Sequence, residues 1–164
     1  MLFHALLLAA LQPVGAPPPE SAIPLVAPYD RGNVFARIIR GELPAVKVYE
    51  DAHVLAFMDR APVSAGHVLV ISKTARARTL LDMPDRDLAR VMKVARRIAR
   101  AQVAGLGAAG VRLIQNNGYG QSVPHFHLHV VPRYPGVPLD FSEGRTRTLV
   151  ELEPVAARIR GALR

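Results

Sequence analysis

The sequence predicts an α+β domain: an antiparallel sheet covered by one long amphipathic helix, with short helices flanking it. Three observations lead there. Short runs rich in β-branched and apolar residues follow one another between turn formers, the hydrophobic period becomes helical over residues 84–103, and β-type runs then return. In chain order, Asn33 is placed to cap a short helix over Val34 to Arg40, with Phe35, Ile38 and Ile39 inward and Gly41 as its stop. Val46 to Glu50, Val54 to Asp59 and His67 to Ser72 read as consecutive antiparallel strands. They are separated by Glu50-Asp51 and by the turn from Pro62 to Gly66.

Pro84 to Val103 repeats Leu88, Val91, Met92, Ala95, Ile98, Ala99 and Val103 at helical spacing, with Arg86, Arg90, Lys93, Arg97 and Arg100 on the opposite side. Val111 to Gln115 and Pro124 to Val131 follow as strands, joined by the turn-forming run from Asn116 to Gly120. Pro154 to Leu163 is expected to form a final helix with Pro154 in its first turn.

Residues 1–29 are expected to stand apart as a leader, and 30–164 to form the domain. Leu2 to Leu11 is apolar except for His4, which is too short for a helix to span a bilayer but matches the core of a signal peptide. Six of the fourteen prolines lie between Pro13 and Pro28, a density that opposes regular structure. Export to the periplasm and an unstructured extension both remain open on this pattern.

At 164 residues the chain is one domain by length, with enough residues for a real core. The absence of cysteine excludes disulfides, a thiol nucleophile and cysteine-bound metal. A net charge of +8 suits an anionic ligand. With aromatics at only 5% and no tryptophan, a single-stranded nucleic-acid platform of stacking rings is disfavoured. Nine lysines and arginines against three aspartates between Lys73 and Arg100 read as the solvated side of the long helix. Gly105 to Gly110 spells the dinucleotide fingerprint, but it follows a helix and precedes a strand. That order is reversed from the one that sets a pyrophosphate on a helix N-terminus, so the glycines read as a helix stop.

The most informative run is Gln121 to Val131, where His125, His127 and His129 alternate with Phe126, Leu128 and Val130. On a strand the imidazoles share one face and the apolar side chains the other, so one face packs while the other does chemistry. A metal site, a set of structural histidines and nucleophilic catalysis by imidazole are the three readings. His125 and His129 stand about 13 Å apart along an extended strand, too far for one tetrahedral ion, although two of the three could ligate with help from elsewhere. With no cysteine, no G-x-S-x-G elbow and no Walker loop, histidine is the natural nucleophile for phosphoryl or nucleotidyl transfer. Asn116, Gly120, Gln121 and Ser122 add donors that could hold a phosphate.

The run Asn116-Asn-Gly through Gly120-Gln-Ser-Val-Pro-His-Phe-His-Leu-His-Val-Val-Pro132 resembles the histidine-triad (HIT) nucleotide hydrolases and transferases. So do Asn33 to Pro44, Val48 to Asp51, Leu55 to Pro62 and Gly66 to Lys73, in order and spacing, across about residues 30 to 135. The resemblance implies a HIT-like fold and a homodimer. It implies His127 as the nucleophile that forms a nucleotidyl-histidine intermediate, flanked by His125 and His129, with His67 a fourth histidine nearby and Ser122 among the catalytic groups. Asp59 would hold the ribose hydroxyls. Val34, Phe35, Ile38 and Phe57 would line the base pocket, and Asn116, Gln121 and Ser122 would meet the phosphate. The ligand implied is a purine nucleotide or nucleotide conjugate, with no cofactor and no metal, in a cytoplasmic protein. A non-catalytic nucleotide- or nucleic-acid-binding module using the basic helix is the alternative from another class. The turn between Asn117 and Gly120 is shorter than in many members of the family.

Overall fold

In a computed structural model, residues 23–137 and 144–164 are described; the apolar run Leu2 to Leu11 and its expected cleavage point lie outside them. Chain order is α1 (Val34–Ile39), β1 (Lys47–Glu50), β2 (Val54–Met58), β3 (Val68–Ser72), a 3₁₀ turn (Leu80–Asp82), α2 (Asp85–Leu106), β4 (Gly110–Ile114), β5 (His127–Arg133) and α3 (Leu149–Ala162). The strands form one sheet in the order β1-β2-β3-β5-β4, antiparallel throughout, as expected of the α+β class. The last strand is inserted between β3 and β4. No helix among the described residues is long and apolar enough to cross a membrane.

β2 and β3 are buried along their whole length because both faces of the sheet are covered. On one face Ala56, Met58, Val68, Val70, Leu128 and Val130 pack against Val91, Ala95 and Ile98 of α2 and Leu152, Ala156 and Ile159 of α3. On the other, Leu55, Phe57, Leu69 and Ile71 make a smaller cluster with Phe35 and Ile38 of α1. Pairing of Ile71 with His127 and of Leu69 with His129 fixes the register of β5, which puts these two histidines on the face of the smaller cluster. The alternation of His127, Leu128, His129 and Val130 thus separates chemistry from packing.

Local signals explain most element ends. The Asn33 side chain accepts from the Ala36 amide at 2.9 Å and caps α1. Gly107 closes α2 with φ +70°, so the glycine run acts as the stop read from its sequence context. Gly66, just before His67, has φ +97°, and a Cβ there would run into the Leu106 side chain.

Four expectations need correction. β5 begins at His127 and runs to Arg133, so His125 stands just before the ladder instead of within it. Met92 and Val103 of α2 are 42% and 50% exposed, while Asp87 and Gln102 are buried. Polar partners decide this: Asp87 accepts from Thr74 at 2.8 Å, and the Gln102 amide donates to the Gly66 and Val130 carbonyls at 2.9 Å each. α3 starts five residues earlier than expected, at Leu149, because Thr148 and Glu151 form a capping box. Pro154 therefore lies inside the helix, and Val150, whose carbonyl loses the proline's missing amide as a partner, is 82% exposed and open to water.

Candidate active site

The geometry begins at Ser72, the last residue of β3. Its carbonyl lies 3.1 Å from Nε2 of His125, and a carbonyl can only accept, so that nitrogen carries the proton. The His125 carbonyl in turn lies 2.7 Å from Nδ1 of His127. By the same reasoning His127 is protonated at Nδ1, which leaves Nε2 with its lone pair. Phe35 stands edge-on to the His127 ring, centroids 5.1 Å apart, and to Phe57 at 5.4 Å. This holds the imidazole from the apolar side.

The neighbouring histidine belongs to a second group. Nδ1 of His129 is 2.9 Å from Nε2 of His67. Asp59 Oδ2 lies 3.4 Å from His67 Nδ1 and 3.9 Å from His129 Nδ1, while Asp59 Oδ1 accepts from the Ala61 amide at 2.8 Å. Asp59, His67 and His129 offer ligand atoms within 4.8 Å of one another and could hold a cation. His129 is the triad member of that group, joined there by Asp59 and His67.

All four histidines are buried, and burial shapes their titration. It pushes His67 down to about 3, helped by the charge on His127, and His129 down to about 3, helped by His127 and His67. Burial brings His125 down to about 4 against the opposing hydrogen bond that it donates to the Ser72 carbonyl. His127 is also lowered by burial, opposed by the His125 carbonyl and by the charge of Asp59. The Asp59 carboxyl is raised by burial.

A pH dependence of stability follows. Above about pH 6.5 the histidines are neutral folded or unfolded, and the contribution of the cluster is fully present. As pH falls from there towards about 4 and then about 3, the unfolded chain takes protons that the folded chain refuses. Stability is lost at up to about 1.4 kcal/mol per pH unit for each such histidine. Asp59 opposes this at the acid end, where the folded chain holds a proton the unfolded one has released. The urea midpoint should fall steeply between about pH 7 and about pH 4.5. A flat midpoint would contradict a buried neutral cluster.

Beside these groups lies a cavity of about 290 Å³. Of the residues singled out in the sequence, Val34, Phe35, Ile38, Phe57, Asp59, Ser122, His127 and His129 line it. Asn116, Gln121, His125 and His67 do not. The Gln121 amide donates to the carbonyls of Arg78 at 2.6 Å and Val123 at 2.9 Å and accepts from the Gly118 amide, so it braces the loop that presents Ser122. Arg60, next to Asp59 in sequence, also lines the cavity, as do Met58, Leu69, Val123 and Leu149. Alternation along β2 and β3 could have found Leu69; Leu149 arrives from far along the chain, and no local pattern marks it.

Comparison with known proteins identifies the family and the fold. The family profile described as HIT domain matches residues 40–136, and the chain belongs to the HIT family. A HIT-like protein of Methanocaldococcus jannaschii is 39% identical over 130 residues, 78% of this chain and 98% of its own length. Adenylylsulfatase HINT3 of Arabidopsis thaliana is 35% identical over 133 residues, 80% of this chain and 67% of its own. The crystal structure of a Hit-like protein involved in cell-cycle regulation from Bartonella henselae superimposes with a TM-score of 0.79 at 40% identity, covering 84% of this chain and all of that one.

Proposed function

We propose that the protein is a nucleotide hydrolase or transferase acting at the α-phosphorus of a nucleoside phosphoramidate or a dinucleoside polyphosphate, through a nucleotidyl-histidine on His127. One observation carries this: His127 is held as the Nδ1–H tautomer by the His125 carbonyl, so an unprotonated Nε2 belongs to a ring that lines the cavity. In the first step Nε2 attacks phosphorus and the bond to the leaving group breaks, the electron pair going to the leaving group, which takes up a proton from solvent. The resulting imidazolium is stabilised by the His125 carbonyl and the Asp59 carboxylate. In the second step water attacks the same phosphorus and gives a proton to solvent, and the P–N bond breaks with its electron pair returning to Nε2, which restores neutral His127 and releases a nucleoside monophosphate.

The purine ring fits the apolar wall of Phe35, Ile38 and Phe57, Asp59 receives the ribose hydroxyls, and the exposed Ser122 hydroxyl stands where the phosphate and leaving group would lie. This reaction needs no metal, since imidazole supplies the nucleophile. The adenylylsulfatase activity named for the Arabidopsis relative is of the same chemical class and supports the reading. The cations of α2 belong to the helix that packs on the opposite sheet face, which favours a nucleotide enzyme over a nucleic-acid module.

A substrate panel tests it. Purified protein, with and without chelator, should release AMP from adenosine 5′-phosphoramidate or from a diadenosine polyphosphate. Tight nucleotide binding without turnover of either would favour a binding module.

We also propose a homodimer. Among the described residues β4 stands at the edge of the sheet, and beside it the apolar side chains of Met92, Val111 and the half-exposed Leu113 line a cleft with Ala95 and Ala99 of α2, rimmed by Lys93 and Arg96. Leu113→Glu should convert a dimer to a monomer by light scattering at about 10 µM, a range where an interface of standard size is occupied. An unchanged mass would place the contact elsewhere.

A further inference from the structure

We infer that Tyr29 is a positioning residue of this site: its hydroxyl donates to Nδ1 of His125 and so fixes the histidine whose carbonyl sets the tautomer of His127. The inference rests on the reading of His127 as nucleophile. Tyr29 lies in the stretch that the prolines mark as the end of the leader, and it does not line the nucleotide cavity.

The chain of hydrogen bonds has one consistent direction. Because the Ser72 carbonyl takes the Nε2 proton of His125, Nδ1 of that ring is a lone pair, and the Tyr29 oxygen lies 2.6 Å from it. Only a donor satisfies that nitrogen. Burial raises the pKa of the Tyr29 phenol, so it keeps its proton at neutral pH. The His125 ring is then held at both nitrogens, and it meets Tyr29 edge-on at 5.6 Å and Phe35 at 6.1 Å. Its carbonyl has one orientation to offer His127.

The segment that carries Tyr29 is docked, not draped. Arg78 is only 3% exposed, and its guanidinium donates to the carbonyls of Pro24, Leu25 and Ala27, the last two at 3.3 and 3.1 Å. A buried guanidinium is costly unless its donors are met, and here the strap from 24 to 29 meets them. The Arg78 carbonyl receives the Gln121 amide at 2.6 Å, and Leu25 packs on Gly118. The strap therefore touches both the loop that carries Ser122 and the first histidine of the triad. With the hydroxyl removed, the buried Nδ1 of His125 loses its donor, and the ring is free to rotate or change tautomer.

Tyr29→Phe keeps the ring and removes only the hydroxyl. Turnover of adenosine 5′-phosphoramidate should fall about tenfold in kcat with KM within about twofold, the size expected for one buried hydrogen bond acting through a neighbour. In ¹⁵N spectra of the histidine-labelled protein, Nδ1 of His125 should move from a hydrogen-bonded to a free lone-pair position while Nε2 remains protonated or exchanges between tautomers. An unmoved Nδ1 resonance overturns the inference whatever turnover does. A moved resonance with kcat unchanged overturns the positioning role, and so does a loss confined to KM. Retention of wild-type turnover by His127→Ala would instead overturn the parent reading, and the ¹⁵N signature would still report whether Tyr29 holds His125.

Discussion

His127→Ala should lower kcat by at least about a thousandfold while nucleotide affinity changes little, because removing a covalent nucleophile abolishes the step it performs and leaves the base and ribose contacts standing. The contacts lie on other elements. Phe35 and Ile38 come from α1, Phe57 from β2 and Asp59 from just beyond it, whereas His127 opens β5. His125→Ala and His129→Ala should cost less, about 10²–10³-fold, since one orients the nucleophile and the other shapes the electrostatics beside it. Binding by fluorescence-labelled nucleotide and turnover measured on the same preparations separate the two effects. A His127→Ala protein with wild-type kcat would remove the basis of the mechanism.

Asp59→Asn should act on binding where the histidine substitutions act on turnover. A carboxylate that accepts from both ribose hydroxyls makes charge-assisted hydrogen bonds, and its loss should weaken ribonucleotide binding by about 1.5–3 kcal/mol, roughly ten- to a hundredfold. Asparagine keeps an oxygen for the Ala61 amide, so the local turn should survive the change. Asp59 also faces His67 and His129 at 3.4 and 3.9 Å, and its charge acts on His127. The discriminating control is a 2′-deoxynucleotide. If Asp59 reads the ribose, the substitution should cost the deoxy ligand much less; equal losses for both would assign Asp59 to the histidine group alone.

The parts of the molecule that were legible in sequence are those where one residue type has one physical meaning. Alternation put His125, His127 and His129 on one strand face, and the register with Leu69 and Ile71 bears this out for His127 and His129, while His125 stands just before the ladder. Asn33 announced the start of α1 and the run from Gly105 to Gly110 the stop of α2, where Gly107 takes the left-handed position, because a cap and a left-handed stop have few substitutes. Patterns with several meanings misled. Met92 and Val103 keep the helical period of α2 yet lie in the open, while Gln102 is inside because two backbone carbonyls await it. Pro154 read as a helix start, although the Thr148 and Glu151 box had already begun the helix. Tyr29 and Arg78 were not legible as site residues. Each depends on a partner about fifty or more residues away, and the prolines around the first and the basic run around the second offered simpler explanations.

Rapid quench of the wild-type protein with nucleotide labelled at the α-phosphorus tests the nucleophile most directly. A labelled adduct is expected, labile in acid and stable in base as a phosphoramidate to imidazole is, which maps by peptide mass to His127 and is missing from His127→Ala. An adduct on Ser122 or another residue, or turnover with no adduct at any quench time, would contradict His127 as the nucleophile.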